Sequence, residues 1–215
     1  MSVISSSFSS VNTSHEAVHA RYDSVDSLYR ETRDMRLLGF VLFLVSDVVL
    51  FSAYIFAYLY LRNSVPNWPP INKDGHQLPR FDVAFATVNS CVLFGSGATM
   101  HFAMESWKHL KKGAFNLWMI ATIALGIAFL GGQAYEYHNA QVTWSGSTLG
   151  ATFFTLTGLH GFHVFVGVIY LIVLYLQANK GVYTGSKYFG LTAGTLYWHF
   201  VDVIWVALFY LFYLM

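Results

Sequence analysis

The sequence predicts an all-α, polytopic membrane protein: a five-transmembrane-helix bundle with its N-terminus in the cytoplasm. Three observations lead there. First, hydrophobic residues make up 55% of the 215 and charged residues only 11%, with a mean hydropathy of +0.48. A soluble domain is about one quarter charged, so this chain lacks the polar surface to face water on all sides. Second, five long apolar segments stand out, near Met35–Arg62, Asp82–Ser106, Ala114–His138, Leu149–Ala178 and Tyr188–Met215. Each exceeds the roughly 20 residues that cross a hydrocarbon core. Third, basic residues are unevenly shared between alternate loops, as membrane insertion requires.

Each segment reads as a helix because a spanning chain must satisfy its backbone hydrogen bonds internally. A β-barrel would need short alternating segments, and none appear. The connection Arg62–Phe81 holds all four prolines, which stop a helix and keep the chain extended. Lys111-Lys112-Gly113 separates the second and third helices, Asn139–Thr148 the third and fourth, and Asn179–Lys187 the fourth and fifth. One side of the membrane receives Arg21, Arg30, Arg33, Arg36, Lys108, Lys111, Lys112, Lys180 and Lys187; the other receives only Arg62, Lys73 and Arg80. The positive-inside rule then puts the N-terminus inside and the C-terminus outside. Trp107 and Trp118 fall near the inner rim, Trp68 and Trp144 near the outer rim, as interfacial anchors do.

Residues 1–34 are polar and Ser-rich, without the apolar core of a cleaved signal peptide, and read as a mobile cytoplasmic tail; residues 35–215 read as the membrane domain. No internal repeat or second domain is visible. A formal net charge of +1 offers nothing to a nucleic acid. The lone Cys91 excludes an intrachain disulfide or thiolate cluster and reads as a small buried hydrophobe.

The informative residues are ionisable groups placed in lipid. Asp47 lies about 11 residues, or roughly 17 Å, into the first helix. A carboxylate there costs about 2.5–3.5 kcal/mol on insertion scales, so it should face the bundle interior and have a partner. The fourth helix carries His160 and His163, and the fifth carries His199 and Asp202, each pair spaced to share one helical face. All five fall at similar depth. We expect Asp47 to hydrogen-bond one of the fourth-helix histidines, and His199 and Asp202 to form or join a second cluster. Two readings stay open: interhelical polar ties, the plainer one, or a proton relay. Heme ligation fits poorly, since His160 and His163 project from one face. A retinal protein would need a membrane lysine, which is absent. Glu136, near the outer end of the third helix, reads as a hydrated interfacial carboxylate solvated by Gln133, Tyr135, Tyr137 and His138, with a packing or lipid-headgroup role as the alternative. Small residues on the second, third and fourth helices, among them Gly97, Gly126 and Gly167, signal close helix packing.

Four stretches in series carry a family likeness: GFVLFLVSDVVLFSAYIFAYLY in the first helix, FLGGQAYEYH in the third, STLGATFFTLTGLHGFHVFVGVIYL in the fourth and YWHFVDVIWVALFYLFYLM in the fifth. Together they resemble subunit III of the heme-copper respiratory oxidases, in the five-helix bacterial form of cytochrome c oxidase subunit 3, which lacks the first two helices of the longer form. The membrane carboxylate is Glu in many members and Asp47 here, one methylene shorter.

The resemblance implies a non-redox subunit with no heme or copper in this chain, those cofactors residing in partner subunits. It implies direct packing on subunit I, with subunit II and in some complexes a small subunit IV nearby, bound phospholipid, and support of proton uptake and stability. Enzymatic activity would belong to the complex, a proton-translocating cytochrome c:oxygen oxidoreductase, with no catalytic centre here. A bacterial inner membrane or other energy-coupling membrane is the implied location. Subunit III of a quinol oxidase is the alternative. A small transporter, from a different class, predicts inverted repeats and broken helices that the sequence does not show.

Overall fold

In hydrocarbon every backbone N–H and C=O needs a partner within the chain, and the apolar segments meet that demand as helices. The computed structural model describes residues 3–64, 82–140, 147–183 and 188–215, with backbone alone for 3–31 and 33. The helices are α1 (Val3–Ser64), α2 (Val83–Lys108), α3 (Lys112–Asn139), α4 (Thr148–Asn179) and α5 (Phe189–Phe209), the last passing into a π-helical turn, Tyr210–Leu214. No strand occurs among the described residues. Five stretches are long and apolar enough to cross a membrane: Asp34–Ser64, Val83–Lys108, Lys112–Asn139, Thr148–Asn179 and Phe189–Leu214. The stretch read as a mobile tail is helical in backbone from Val3. The four prolines, Trp68, Lys73 and Arg80, and also Trp144 and Lys187, lie outside the described residues, as do the side chains of Arg21, Arg30 and Arg33.

Local chemistry sets the helix ends. Asp82 caps α2, its carboxylate accepting from the Ala84 and Phe85 amides at 3.0 and 3.1 Å. Ser147 caps α4 by accepting from the Gly150 amide at 3.0 Å. At the far end of α4, Gly181 takes φ +73°. The Val182 amide then reaches back to the Gln177 carbonyl at 3.1 Å, closing the helix with a left-handed glycine. The turn between α2 and α3 falls at His109–Lys111, earlier than the Lys-Lys-Gly reading, and both Lys112 and Gly113 are helical. Leu110 holds φ 58° there, a conformation costing a branched residue about 1–2 kcal/mol.

The chain divides into two units, Met1–Phe43 and Leu44–Met215. In the first, Phe40 packs on Phe43 with ring centroids 6.1 Å apart, and Met35, Leu38 and Leu42 are exposed. In the second, α5 runs against both α2 and α4, and α3 packs on α2 and α4. Trp198 is fully buried at their meeting point. Its indole N–H donates to Ser96 Oγ on α2 at 2.9 Å. A Cβ at Gly126 of α3 would stand 2.8 Å from the Trp198 ring, and one at Gly167 of α4 2.9 Å. Both glycines therefore make room for the indole. Trp205, two turns later, donates to Ser90 Oγ at 2.8 Å. The C-terminal half of α1 touches α4 and the π-turn: Tyr58 donates to the Leu211 carbonyl at 3.2 Å and packs on Phe212 at 4.8 Å.

The outer faces are apolar: Val88, Leu117, Phe162 and Val203 are exposed, a surface suited to lipid or to a protein partner. Cys91 lies on this exposed face of α2, correcting the expectation of burial. In lipid a small apolar side chain loses nothing by facing outward, so a lone cysteine in an apolar run carries no burial signal.

The Trp198 contact has a measurable consequence. Ser96→Ala leaves a buried indole N–H without its acceptor and should cost about 1 kcal/mol. Gly126→Val places side-chain atoms where the indole ring stands and should lower the thermal midpoint in detergent by considerably more. A Gly126→Val variant melting with the parent would refute the packing described.

Candidate functional site

The candidate site is the set of ionisable side chains that the helices hold at mid-membrane depth. Asp47 sits on α1, one turn before Phe51, and is buried. Its Oδ1 lies 3.8 Å from His163 Nε2 on α4. That is an ion-pair separation, slightly longer than the expected hydrogen bond, which needs about 3.2 Å or less. Asp47 Oδ2 has no hydrogen-bond partner among the described residues. Phe51 packs on the His163 ring with centroids 5.1 Å apart and shields one side of the pair.

His163 is oriented by its own helix. Its Nδ1 stands 2.8 Å from the Leu159 carbonyl. A carbonyl only accepts, so Nδ1 carries the hydrogen and Nε2 is the atom turned to Asp47. Tyr197 of α5 donates to the His163 carbonyl at 3.0 Å, tying α5 to this turn of α4.

His160 takes a different environment. It is completely buried and stacks on Trp205, with centroids 5.0 Å apart and planes 28° apart. Phe129 of α3 meets it edge-on at 5.9 Å. Neither ring nitrogen of His160 has a hydrogen-bond partner among the described residues. The shared helical face places the two histidines near each other, but only His163 reaches Asp47. Three residues turn a helix by about 300°, leaving the side chains some 60° apart, enough to send them to different neighbours.

On α5, His199 Nδ1 lies 3.6 Å from Asp202 Oδ2. Asp202 is drawn in against Gly97 of α2: a Cβ at that glycine would collide with the carboxylate. Asp202 Oδ1 is buried without a partner among the described residues. The His199 side chain is 42% exposed, against 13% for Asp202. The layer is thus two carboxylate–imidazole pairs and one isolated histidine, and no hydrogen bond or ion pair joins the two pairs among the described residues.

Glu136 departs from the hydrated, interfacial reading. It is buried, and Tyr213 of the π-turn donates to its Oε1 at 2.6 Å. Two of the neighbours expected to solvate it, Gln133 and Tyr137, do other work. Gln133 donates to Tyr137 at 2.9 Å and to the Thr157 carbonyl at 2.6 Å, and Tyr137 meets the Thr157 hydroxyl at 2.7 Å. These bonds join α3 to α4. Sequence reasoning missed Tyr213 as the Glu136 partner, and Ser90 and Ser96 as tryptophan acceptors. The available signal was the rule that a buried Tyr or Trp needs a partner for its polar tip. What could not be read was which one, since Tyr213 is 77 residues from Glu136. Among the described residues no group of three or more His, Cys, Asp or Glu could hold a metal ion.

Comparison with known proteins places this sequence in a family. The family model for cytochrome c oxidase subunit III matches residues 27–215. A cytochrome c oxidase subunit 3 from Synechocystis sp. is 37% identical over 183 residues, covering 85% of this chain and 76% of that protein. One from Thermostichus vulcanus is 34% identical over 186 residues, covering 86% and 90%. One from Bacillus subtilis is 37% identical over 187 residues, covering 84% and 86%. The match takes in all five membrane-crossing stretches and every residue of the polar layer, and this chain belongs to the cytochrome c oxidase subunit III family, the subunit III of the heme-copper oxidases.

Proposed function

We propose that this chain acts as the non-redox subunit III of a proton-pumping terminal oxidase. It packs directly on subunit I, holds phospholipid at that contact, and supports the proton uptake and stability of the complex. Heme and copper reside in the partner subunits, with subunit II and, where present, a small subunit IV completing the assembly. The complex takes electrons from cytochrome c, in keeping with the names of the relatives, reduces oxygen to water and moves protons outward. The chain spans a bacterial inner membrane or another energy-coupling membrane. Residues 1–34 face the cytoplasm and 35–215 form the membrane domain, an orientation that rests on the basic residues alone.

The observation that carries the proton reading is the Asp47–His163 contact. With the Nδ1 hydrogen committed to the Leu159 carbonyl, a neutral His163 turns a lone pair toward Asp47. An ionised carboxylate there would face that lone pair without a hydrogen between them. One added proton resolves the conflict, carried either by Asp47 as the acid or by His163 as imidazolium. Closing 3.8 Å to a hydrogen bond takes a shift of under about 1 Å. The pair therefore has the makings of a one-proton store in a medium that otherwise disfavours charge.

Asp47→Asn tests the store. It keeps the shape and a hydrogen-bonding group but removes the titratable site. The variant should assemble normally and start at the parental rate, then lose activity faster during sustained turnover, most clearly at alkaline pH. Parental behaviour throughout would leave Asp47 as a helix tie only. An oxidase assembled without this chain should likewise begin by reducing oxygen and then slow. Immediate and complete loss of oxygen reduction in a properly assembled complex would overturn the non-redox assignment. Orientation is tested by labelling in a Cys91→Ser background: a membrane-impermeant thiol reagent applied outside should reach a cysteine at Asp74 and miss one at Lys111. The opposite pattern would reverse the topology.

A further inference from the structure

The membrane half of α1 is held more thinly than the other helices. Of its residues 44–64, Asp47, Phe51 and Tyr58 are buried, whereas the 21 residues of α5 bury nine. Val45, Val48, Val49, Tyr54, Phe56 and Tyr60 around the rest of the helix are exposed. The three buried side chains and Arg62 follow one stripe, at spacings of four, seven and four residues.

The stripe has two unlike ends. At the C-terminal end Tyr58 donates to the Leu211 carbonyl at 3.2 Å and Arg62 to the Met215 main-chain oxygen at 2.9 Å. Tyrosine and arginine keep their hydrogens through the neutral range, so these ties do not answer to pH. At the other end both buried side chains bear on one imidazole. Asp47 faces His163 Nε2 at 3.8 Å, and Phe51 lies on the same ring at 5.1 Å. With Nδ1 given to the Leu159 carbonyl, this end attracts only while the pair holds a proton. A proton on Asp47 is donated to Nε2. A proton on His163 makes an ion pair with Asp47 and sets a cation against the Phe51 ring. Without it a carboxylate oxygen faces an imidazole lone pair. The other titratable groups in electrostatic reach are His160, beside His163 on α4, and Tyr197 of α5, whose hydroxyl is donated to the His163 carbonyl. No lysine or arginine pairs with Asp47 among the described residues.

We infer that the Asp47 end of the stripe is a pH-sensitive clasp: α1 closes on α4 while the Asp47–His163 pair holds one proton and swings away when the proton leaves, pivoting where Tyr58 and Arg62 bind the π-turn. The inference rests on the reading of that pair as a one-proton store and adds that the store sets the position of a helix. Asp47 stands 11 residues from Tyr58, roughly 16 Å along the axis, so a tilt of about 10° carries it roughly 3 Å. That is enough to separate a pair already 3.8 Å apart.

The test measures distances in the purified oxidase by pulsed electron spin resonance, with spin labels attached by a chemistry that does not use cysteine. The labels sit at exposed positions, Val45 of α1 with Leu117 of α3, and Tyr60 of α1 with Ile127 of α3. As pH is raised, the Val45–Leu117 distance should lengthen by a few ångströms and broaden, while the Tyr60–Ile127 distance stays. Asp47→Asn should abolish the response, because its amide can donate to Nε2 at every pH and hold the clasp closed. A parental Val45–Leu117 distance indifferent to pH would overturn the inference, as would equal movement of the Tyr60–Ile127 pair or a response that survives in Asp47→Asn. The parental titration leaves the pair intact, so poor folding of the variant does not decide the matter. Impaired sustained turnover of Asp47→Asn with a helix fixed in the parent refutes the clasp alone. A helix that moves in the parent, with parental turnover in the variant, supports the clasp and refutes the proton supply.

Discussion

A buried indole in a bilayer has to place its N–H, and Trp198 does so across a helix interface. Its bond to Ser96 joins α5 to α2, while the ring lies in the space left by Gly126 of α3 and Gly167 of α4. Helices in lipid gain little from hiding apolar surface, since the solvent is itself apolar. Close packing and polar ties must hold them. Trp198 supplies both at one point and reaches all three neighbouring helices. Trp205 repeats the device two turns later on Ser90. Each serine hydroxyl donates to a carbonyl of its own helix, Ser90 to Ala86 and Ser96 to Leu93, and is thereby oriented to accept the indole. The two rungs set the antiparallel register of α2 against α5.

That register decides where the ionisable groups go. Trp205 offers its face to His160, which stacks there between α3 and α5. His163, one turn further along α4, points past this stack to Asp47 on α1. The residues flanking Trp198 and Trp205 bring Asp202 to the α2 backbone at Gly97 and leave His199 at the edge of the interface. A shift of α5 by one residue would break both rungs, displace His199 and Asp202 and take the Trp205 face from under His160. The α5 half of the polar layer therefore depends on the tryptophan ladder, while the Asp47–His163 pair is held between α1 and α4.

The helices were legible in the sequence because the bilayer imposes a length and a composition that no soluble core demands. Asp82 at the head of α2 and Gly181 after α4 mark their ends by side-chain and backbone chemistry that local sequence shows. Residues acting across helices were legible only as needs. Asp47 needed a partner, and two histidines qualified; the choice of His163 follows from helix rotation, which spacing constrains only to about 60°. Glu136 looked interfacial because polar residues surround it in sequence, but Gln133 and Tyr137 among them serve α4, and its partner Tyr213 arrives from the π-turn at the end of the described chain. Cys91 was misread for a related reason. Hydrophobicity predicts burial in water, whereas in lipid it predicts nothing about which way a side chain faces.

The distribution of unused hydrogen-bonding capacity bears on whether the polar layer ties helices or handles protons. Buried hydroxyls in this structure are consumed locally: Thr157 donates to the Phe153 carbonyl and Ser90 to Ala86. The buried side-chain atoms left without partners among the described residues are Asp47 Oδ2, both nitrogens of His160, Asp202 Oδ1, Gln133 Oε1 and Arg62 Nη1. Most of them belong to titratable groups of the mid-membrane layer. A residue kept only to tie helices together would be expected to spend its capacity on the tie, since each unsatisfied atom costs about 1–3 kcal/mol. A residue that exchanges a proton must keep a free position for the proton to occupy. The free oxygen of Asp47 is a position of that kind. Its other oxygen lies within 3.8 Å of His163, so the carboxyl has a neighbour for one proton and capacity left over, an arrangement that a helix tie alone does not call for.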